Sequence, residues 1–144
     1  MTALLRKPAR LLLAIRVLAV AVSVPVLMRL PLHRVCGIVA PARSRRRRDA
    51  QELSELASFI LWLLPAGGPL VRQGCLTRGV TLYYFLSRAG ADIELVFGVG
   101  MREDGADGHC WLVQHGQPFL EKQDPRPLFS ELYRIPGSAR AATA

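Results

Sequence analysis

One change of periodicity constrains the fold more than any other feature of the sequence. Between Gly74 and Gly90 the apolar residues recur at helical spacing, which predicts a helix. After it the pattern changes to alternation, which predicts strands over 91–100, 109–113 and 117–121. One helix followed by short strands indicates an α+β domain, and 144 residues are too few for a TIM barrel or a doubly wound dinucleotide fold.

Other segments complete the predicted domain. Residues 49–64 begin with a capping-box pattern and continue at helical spacing, so they predict a packed helix that the loop 65–69 ends. Residues 101–108 predict a polar loop. The stretch 124–127 predicts a turn, and 128–135 a short closing helix.

The turn between the last two predicted strands decides which side chains lie opposite each other. A three-residue turn over 114–116 pairs His109 with Glu121, within reach of a side-chain hydrogen bond. A two-residue turn pairs His109 with Lys122 instead, and the Glu121 side chain then lies on the other face. Gly116 suits the left-handed last position of the longer turn and favours the first register.

Alternation also assigns the faces of the strand over 109–113. His109, Trp111 and Val113 are predicted to share one face, and Cys110 and Leu112 the other. Trp111 is predicted to be a core aromatic, with a place in the wall of an active-site cleft as the alternative.

Three residue types in the order cysteine, histidine, acid indicate nucleophilic catalysis. Cys75 begins the predicted helix, where free backbone N–H groups and the helix dipole favour a thiolate. His109 would act as general base and Glu121 would orient its ring, with Asp124 as the alternative third group. A backbone N–H at Cys75 or Leu76 could stabilise an oxyanion. The alternative is purely structural: a small buried cysteine, a hydrogen-bonded strand histidine and a solvated carboxylate.

Positive charge is confined to the first third of the chain. Residues 1–48 hold 11 of the 19 Lys and Arg residues and none of the 11 Asp and Glu residues. A nucleic-acid-binding domain is expected to carry its basic surface on the folded core. Because the basic character here belongs to the N-terminal third alone, no nucleic-acid partner is expected.

The N-terminal third also contains an apolar segment. Residues 11–28 are apolar except for Arg16 and Ser23, and Pro25 and Pro31 predict a pair of amphipathic helices broken at these prolines. The predicted role is packing on the domain or docking to a partner. Attachment to a membrane surface is one alternative, and a true span or a signal peptide is another. A span needs about 20 apolar residues, and a central arginine is costly.

The cysteines predict neither a metal site nor a disulfide framework. Cys36, Cys75 and Cys110 match no zinc-ligand spacing, and three thiols cannot all pair with each other. Free thiols in a reducing compartment are therefore expected.

Two stretches of the sequence resemble a known family. CLTRGVTLYYFLSRAGADIELVFGVG followed by GHCWLVQHGQPFLE is similar to the transglutaminase-like cysteine peptidases of lasso-peptide biosynthesis. The two stretches resemble in particular the short, stand-alone protease half of the split microcin-maturation B protein. The resemblance covers about residues 70–127 and rests on the cysteine that opens the helix, the glycine-rich strand end, the H-x-W strand and the hairpin glycine. Residues 29–35 resemble the family's N-terminal helices more weakly.

The resemblance implies a papain-like, transglutaminase-like α+β cysteine protease core with N-terminal amphipathic helices. It implies a cysteine endopeptidase that removes the leader from a ribosomally synthesised precursor peptide in a bacterium. Cys75 matches the family's nucleophile and His109 its base, whereas Glu121 stands where the family usually has aspartate. A longer acid still accepts the imidazole N–H but needs a slightly different backbone separation.

Partners and location follow from the same resemblance. The expected partners are the precursor peptide, a separate leader-binding protein and a macrolactam-forming cyclase. No cofactor is expected in this chain, although the maturation complex could use ATP. The expected location is the cytoplasm, with association at the inner membrane surface through residues 1–48 as an addition.

The predicted organisation has three parts: a basic amphipathic helical region over 1–48, a peptidase domain over 49–135 and a disordered tail over 136–144. Two alternative functions use the same fold. One is a transamidase, in which an amine instead of water resolves the thioester. The other is a non-catalytic scaffold or membrane-associated member of the family.

Overall fold

Helices precede strands along the chain. The computed structural model describes residues 7–40 and 48–137. The helices are α1 (Lys7–Leu27), α2 (Leu32–Val39), α3 (Ala50–Ala66) and α4 (Cys75–Arg88), with a 3-10 turn at Gly68–Leu70. The strands are β1 (Ile93–Arg102), β2 (Gly105–Gln114), β3 (Gln117–Phe119) and β4 (Ser130–Ile135). The predicted α+β class is confirmed. Of the predicted disordered tail, residues 138–144 lie outside the described part of the chain.

The strands form one antiparallel sheet in the order β3-β2-β1-β4. α4 packs on one face of this sheet, where Leu95, Cys110 and Leu112 belong to the main hydrophobic core. The opposite face carries a smaller apolar cluster that includes Trp111 and Val113. The predicted alternation of side chains along β2 is therefore confirmed.

α1 contributes one face to the main core. Val17, Ala21 and Val24 are each 0% exposed, and α1 packs on α3 and α4. The predicted break at Pro25 is wrong, because the helix runs two residues beyond it. Pro25 removes a single backbone hydrogen bond, and burial of the neighbouring Val24 holds the helical course. The predicted break at Pro31 is confirmed, since this residue caps the start of α2.

α3 begins as predicted. The Asp49 carboxylate accepts a hydrogen bond from the backbone N–H of Glu52 at 2.7 Å, so it satisfies one of the free donors of the first turn. The predicted end is wrong by two residues. α3 continues through Pro65 to Ala66 before the 3-10 turn begins.

The tip of the β1–β2 hairpin lies where the sequence predicted a polar loop over 101–108. That prediction is wrong, because the ladder runs from the Ile93–Gln114 pair to the Arg102–Gly105 pair. The side chains near the tip are mostly exposed. Their polarity therefore reflects contact with water on both faces of a hairpin.

The predicted closing helix over 128–135 is also wrong. Residues 130–135 form β4, which pairs with β1 and makes the outer edge of the sheet. Ile135 is buried, and Tyr133, two residues before it, is half-buried against the same core, whereas Leu132 is exposed. This alternation has the period of a strand, and pairing with β1 decides the conformation.

Candidate active site

Cys75 is the first residue of α4. Gly74 precedes it with a φ of 156°, a conformation that residues with side chains rarely adopt. This glycine brings the chain into the helix and leaves the half-buried Cys75 at its N-terminus. The first backbone N–H groups of a helix have no partner within the helix, so Cys75 and Leu76 present free donors beside the thiol.

A close approach of α4 to β2 fixes the height of this helix above the sheet. A Cβ at Gly79 would lie 2.8 Å from Cys110 Sγ, which is closer than packed atoms allow. Cys110 is 3% exposed, and burial raises the pKa of its thiol. Cys110 is therefore a buried packing residue, protonated at neutral pH, on the face of β2 opposite His109.

His109 lies on the other face of β2, between two aromatic rings. Its ring stacks on Trp111 at a centroid distance of 5.8 Å and on Phe129 at 4.9 Å. Trp111 is 2% exposed, so it is both a member of the smaller apolar cluster and a support for the histidine.

Two glycines of β1 make room for these rings. A Cβ at Gly98 would lie 2.7 Å from the Trp111 ring, and one at Gly100 would lie 3.0 Å from the Phe129 ring and closer still to the backbone carbonyl of Leu128. The glycine-rich end of β1 therefore serves to seat the aromatic side chains that hold His109.

Glu121 joins the histidine to the cysteine helix. Its Oε2 lies 3.4 Å from His109 Nε2, and its Oε1 accepts a hydrogen bond from Arg78 Nη1 at 3.0 Å. Arg78 also donates to the backbone carbonyl of Leu120. The Glu121 side chain is 11% exposed, whereas those of its partners Arg78 and His109 are 31% and 22% exposed. Arg78 lies three residues after Cys75 in α4 and connects the nucleophile's helix to the acid.

The predicted register of β2 and β3 is wrong, although the predicted contact of His109 with Glu121 is present. Val113 pairs with Pro118, around a two-residue turn. In this register Pro118 belongs to a pair of residues that exchange no backbone hydrogen bonds, so the missing N–H of a proline is tolerated there. If β3 continued as a strand, the Glu121 side chain would lie on the face of the sheet opposite His109. It ends at Phe119, and Leu120 adopts a φ of 59°, which interrupts the alternation and returns Glu121 to His109.

Asp124, the alternative third group, pairs with Arg126. Its carboxylate accepts hydrogen bonds from the Arg126 side chain at distances from 2.6 to 3.0 Å. The side-chain hydrogen bonds from Arg126 lower the pKa of Asp124. Of the two predicted acids, Glu121 is the one that contacts His109.

The thiol and the imidazole are not hydrogen-bonded to each other. Among the hydrogen bonds of the described residues, none joins Cys75 Sγ to His109. His109 Nε2 contacts Glu121, and Nδ1 is the ring nitrogen that makes no hydrogen bond with the described residues.

A cleft of about 720 Å³ opens beside these residues, lined by Arg78, His109 and Glu121 together with apolar side chains such as Leu61. A smaller pocket of about 200 Å³, lined in part by Gly74, shares Leu61 and Arg78 with this cleft. The side chains of Leu61 and Arg78 therefore border both cavities. Within residues 7–40 and 48–137, no group of three or more His, Cys, Asp and Glu side chains could hold a metal ion.

Sequence reasoning missed Arg78 and the role of the strand glycines. The spacing of Arg78 from Cys75, one helical turn apart, is a signal that could have placed it near the thiol. Nothing in the spacing indicated that its partner would be Glu121.

One comparison with known proteins identifies a family for this chain. The model of the family described as the transglutaminase-like superfamily matches residues 11–134, which include Cys75, His109 and Glu121. No curated protein and no solved structure matches the chain.

Proposed function

Since the chain belongs to the transglutaminase-like superfamily, we propose that it is a cysteine peptidase with Cys75 as nucleophile, His109 as general base and Glu121 as orienting acid. The superfamily includes both cysteine peptidases and transamidases. The finer proposal is that the substrate is a ribosomally made precursor peptide whose leader is removed. It rests on the resemblance of residues 70–127 to the leader peptidases of lasso-peptide biosynthesis.

The observation that carries the proposal is the position of Glu121 between Arg78 and His109. Arg78 holds one carboxylate oxygen, and the other lies 3.4 Å from His109 Nε2. A carboxylate accepts a proton donor at this nitrogen, so the neutral ring carries its proton on Nε2 and its lone pair on Nδ1. This tautomer can take a proton from a thiol that approaches Nδ1.

The chemistry then proceeds in two steps. The Cys75 thiol gives its proton to His109 Nδ1, and sulfur attacks the peptide carbonyl. The new oxyanion accepts hydrogen bonds from the free N–H groups at the start of α4. The carbon–nitrogen bond breaks as the histidine protonates the leaving amine, which leaves a thioester. Water, deprotonated by His109, attacks the thioester, and the thiol is released with a carboxylate product.

Among the residues that the structure describes, most of one edge of β2 has no strand partner, which supports a peptide as the substrate. β3 pairs only with residues 112–114 of β2, so on that side of the sheet the ladder covers just the end of β2 nearest the turn. The register directs the backbone groups of Ala106 and Gly108 towards this edge. The 720 Å³ cleft is lined by the adjacent His109. An extended peptide that added to this edge would run past the histidine, the mode called β-augmentation.

Incubation with a candidate precursor peptide from the neighbouring genes, together with a candidate leader-binding protein, tests the proposal by mass spectrometry. The wild-type chain is expected to give two fragments whose masses sum to the substrate plus one water. Cys75→Ala should give none. Cys36→Ala is the matched control, because Cys36 is also a free, half-buried cysteine, and it should retain cleavage.

Two outcomes would contradict the peptidase proposal. If an added primary amine appears in the product and no water is gained, the protein is a transamidase. If Cys75→Ala cleaves as fast as wild type, Cys75 is not the nucleophile.

The leader-binding protein and the cyclase are proposed as partners on the resemblance alone. A cytoplasmic location is proposed on the same basis.

A further inference from the structure

α1 is apolar on two opposite faces, and the described part of the chain covers only one of them. The inner face, formed by Val17, Ala21 and Val24, is 0% exposed. The opposite face carries large apolar side chains that are 44% to 64% exposed, and we call them the outer stripe: Leu11, Leu12, Ile15, Val22 and Val26. A helix with apolar residues on every side is normally surrounded by protein or lipid.

The geometry of the outer stripe suits a flat apolar surface. At 3.6 residues per turn, its members fall within an arc of about 100°, and they extend about 22 Å along the axis. Arg16 is exposed and lies just beyond the border of this arc. Its long side chain can extend to the headgroup level while the stripe lies deeper.

The charges around the outer stripe favour an anionic partner. Residues 1–48 contain 11 Lys and Arg residues and no Asp or Glu. Arg10, Arg29 and Arg34 are exposed like Arg16. A cationic rim around an apolar helical face is the pattern of helices that lie in the headgroup region of anionic membranes.

By length and composition, residues Pro8–Leu27 could also cross a membrane. A spanning α1 would have to withdraw Val17, Ala21 and Val24 from their contacts with the core. An α1 that lies in the plane of the membrane surface keeps those contacts and buries the outer stripe as well.

We propose that the outer stripe of α1 docks the folded protein onto an anionic lipid surface, with the helix in the membrane plane. The N-terminal cations provide attraction to the lipid phosphates, and the stripe provides apolar burial. The inference is independent of the peptidase proposal, because it uses no residue of the cleft.

Flotation of the full chain with lipid vesicles tests the inference. The protein is expected to float with phosphatidylcholine vesicles that contain phosphatidylglycerol, and to float less with phosphatidylcholine alone. Raising the salt concentration should weaken binding, since surface charges are screened.

Two variants distinguish docking through the outer stripe from nonspecific adsorption to the vesicles. Ile15→Glu places a charge within the outer stripe and should lower partitioning roughly tenfold or more, because one apolar side chain leaves the interface. Leu132→Glu is the matched control, since Leu132 is 69% exposed on β4, and it should bind as wild type does. Both positions are exposed, so circular dichroism should show unchanged folding.

Three results would overturn the inference. They are absence of flotation by the folded protein with phosphatidylglycerol vesicles at low salt, equal flotation of Ile15→Glu and wild type, and dimerisation without lipid that Ile15→Glu abolishes. The last result would make a second copy of the chain the occupant of the outer stripe.

Discussion

Replacing Gly79 in α4 with alanine is expected to change the stability of the protein in a direction that depends on one sulfur atom of β2, Cys110 Sγ. A Cβ at position 79 would lie 2.8 Å from Cys110 Sγ, which is buried. Overpacking of this kind costs about 1–3 kcal/mol. Replacing a helical glycine with alanine otherwise stabilises by about 0.5–1 kcal/mol. Gly79→Ala is therefore expected to lower the free energy of unfolding by about 0.5–2 kcal/mol.

Removing the sulfur reverses the expected sign. In a Cys110→Ala background, the nearest atom of β2 is the backbone oxygen of residue 110 at 3.7 Å, which is an ordinary contact. The end of the Leu95 side chain, at 3.3 Å, needs to shift by only a few tenths of an ångström. Gly79→Ala should then raise stability by about 0.5–1 kcal/mol.

Urea unfolding of wild type, the two single variants and the double variant measures this coupling as a double-mutant cycle. The expected interaction energy is about 1–3 kcal/mol. If Gly79→Ala changed stability equally in both backgrounds, the argument that Cys110 requires a glycine opposite it would be refuted.

Three further predictions concern residues at or beside the candidate active site. Gly98→Ala places a Cβ 2.7 Å from the Trp111 ring. Urea unfolding should show a free energy of unfolding that is lower by about 1–3 kcal/mol. Gly108→Ala is its control on the neighbouring strand, where the nearest atom is 4.0 Å away, and it should leave the free energy of unfolding unchanged or raise it by up to about 1 kcal/mol. Arg78→Met removes the charged hydrogen bond to Glu121 and should lower kcat about 10- to 100-fold with a smaller change in KM, and Arg78→Lys should restore part of the loss. An equal effect of both Arg78 variants on KM alone would assign Arg78 to substrate binding. Because burial raises the pKa of Cys110, iodoacetamide should label this thiol only after unfolding, and labelling in the native protein would contradict its burial.

The cysteine helix could be predicted from the sequence because its information is local. Glycines flank α4, and its apolar residues repeat at helical spacing, so the position of Cys75 at the helix start needed no knowledge of distant residues. The two faces of β2 followed from alternation in the same way.

The contact of His109 with Glu121 was predicted for the wrong reason. It depends on Leu120, whose positive φ interrupts the strand after Phe119. Leucine rarely adopts this conformation, so no rule of turn chemistry indicates it. Arg78, which helps to hold this segment through the Leu120 carbonyl, looks in the sequence like any solvated arginine on a helix.

β4 could not be predicted because its partner is distant in sequence. The apolar residues Leu132, Tyr133 and Ile135 are compatible with a short helix or a short strand, and pairing with β1 selects the strand. Tertiary pairing of this kind overrides local preference wherever an element is short.

The rate of alkylation of Cys75 tests the central claim most directly, because it needs no substrate. With iodoacetamide at neutral pH, Cys75 is expected to react faster than Cys36, which is also free and half-buried. His109→Ala should bring the two rates close together, while both variant and wild type remain folded. Slow and equal labelling of Cys75 and Cys36 in the wild-type protein, unchanged by His109→Ala, would contradict a catalytic thiol–imidazole pair and favour a non-catalytic member of the superfamily.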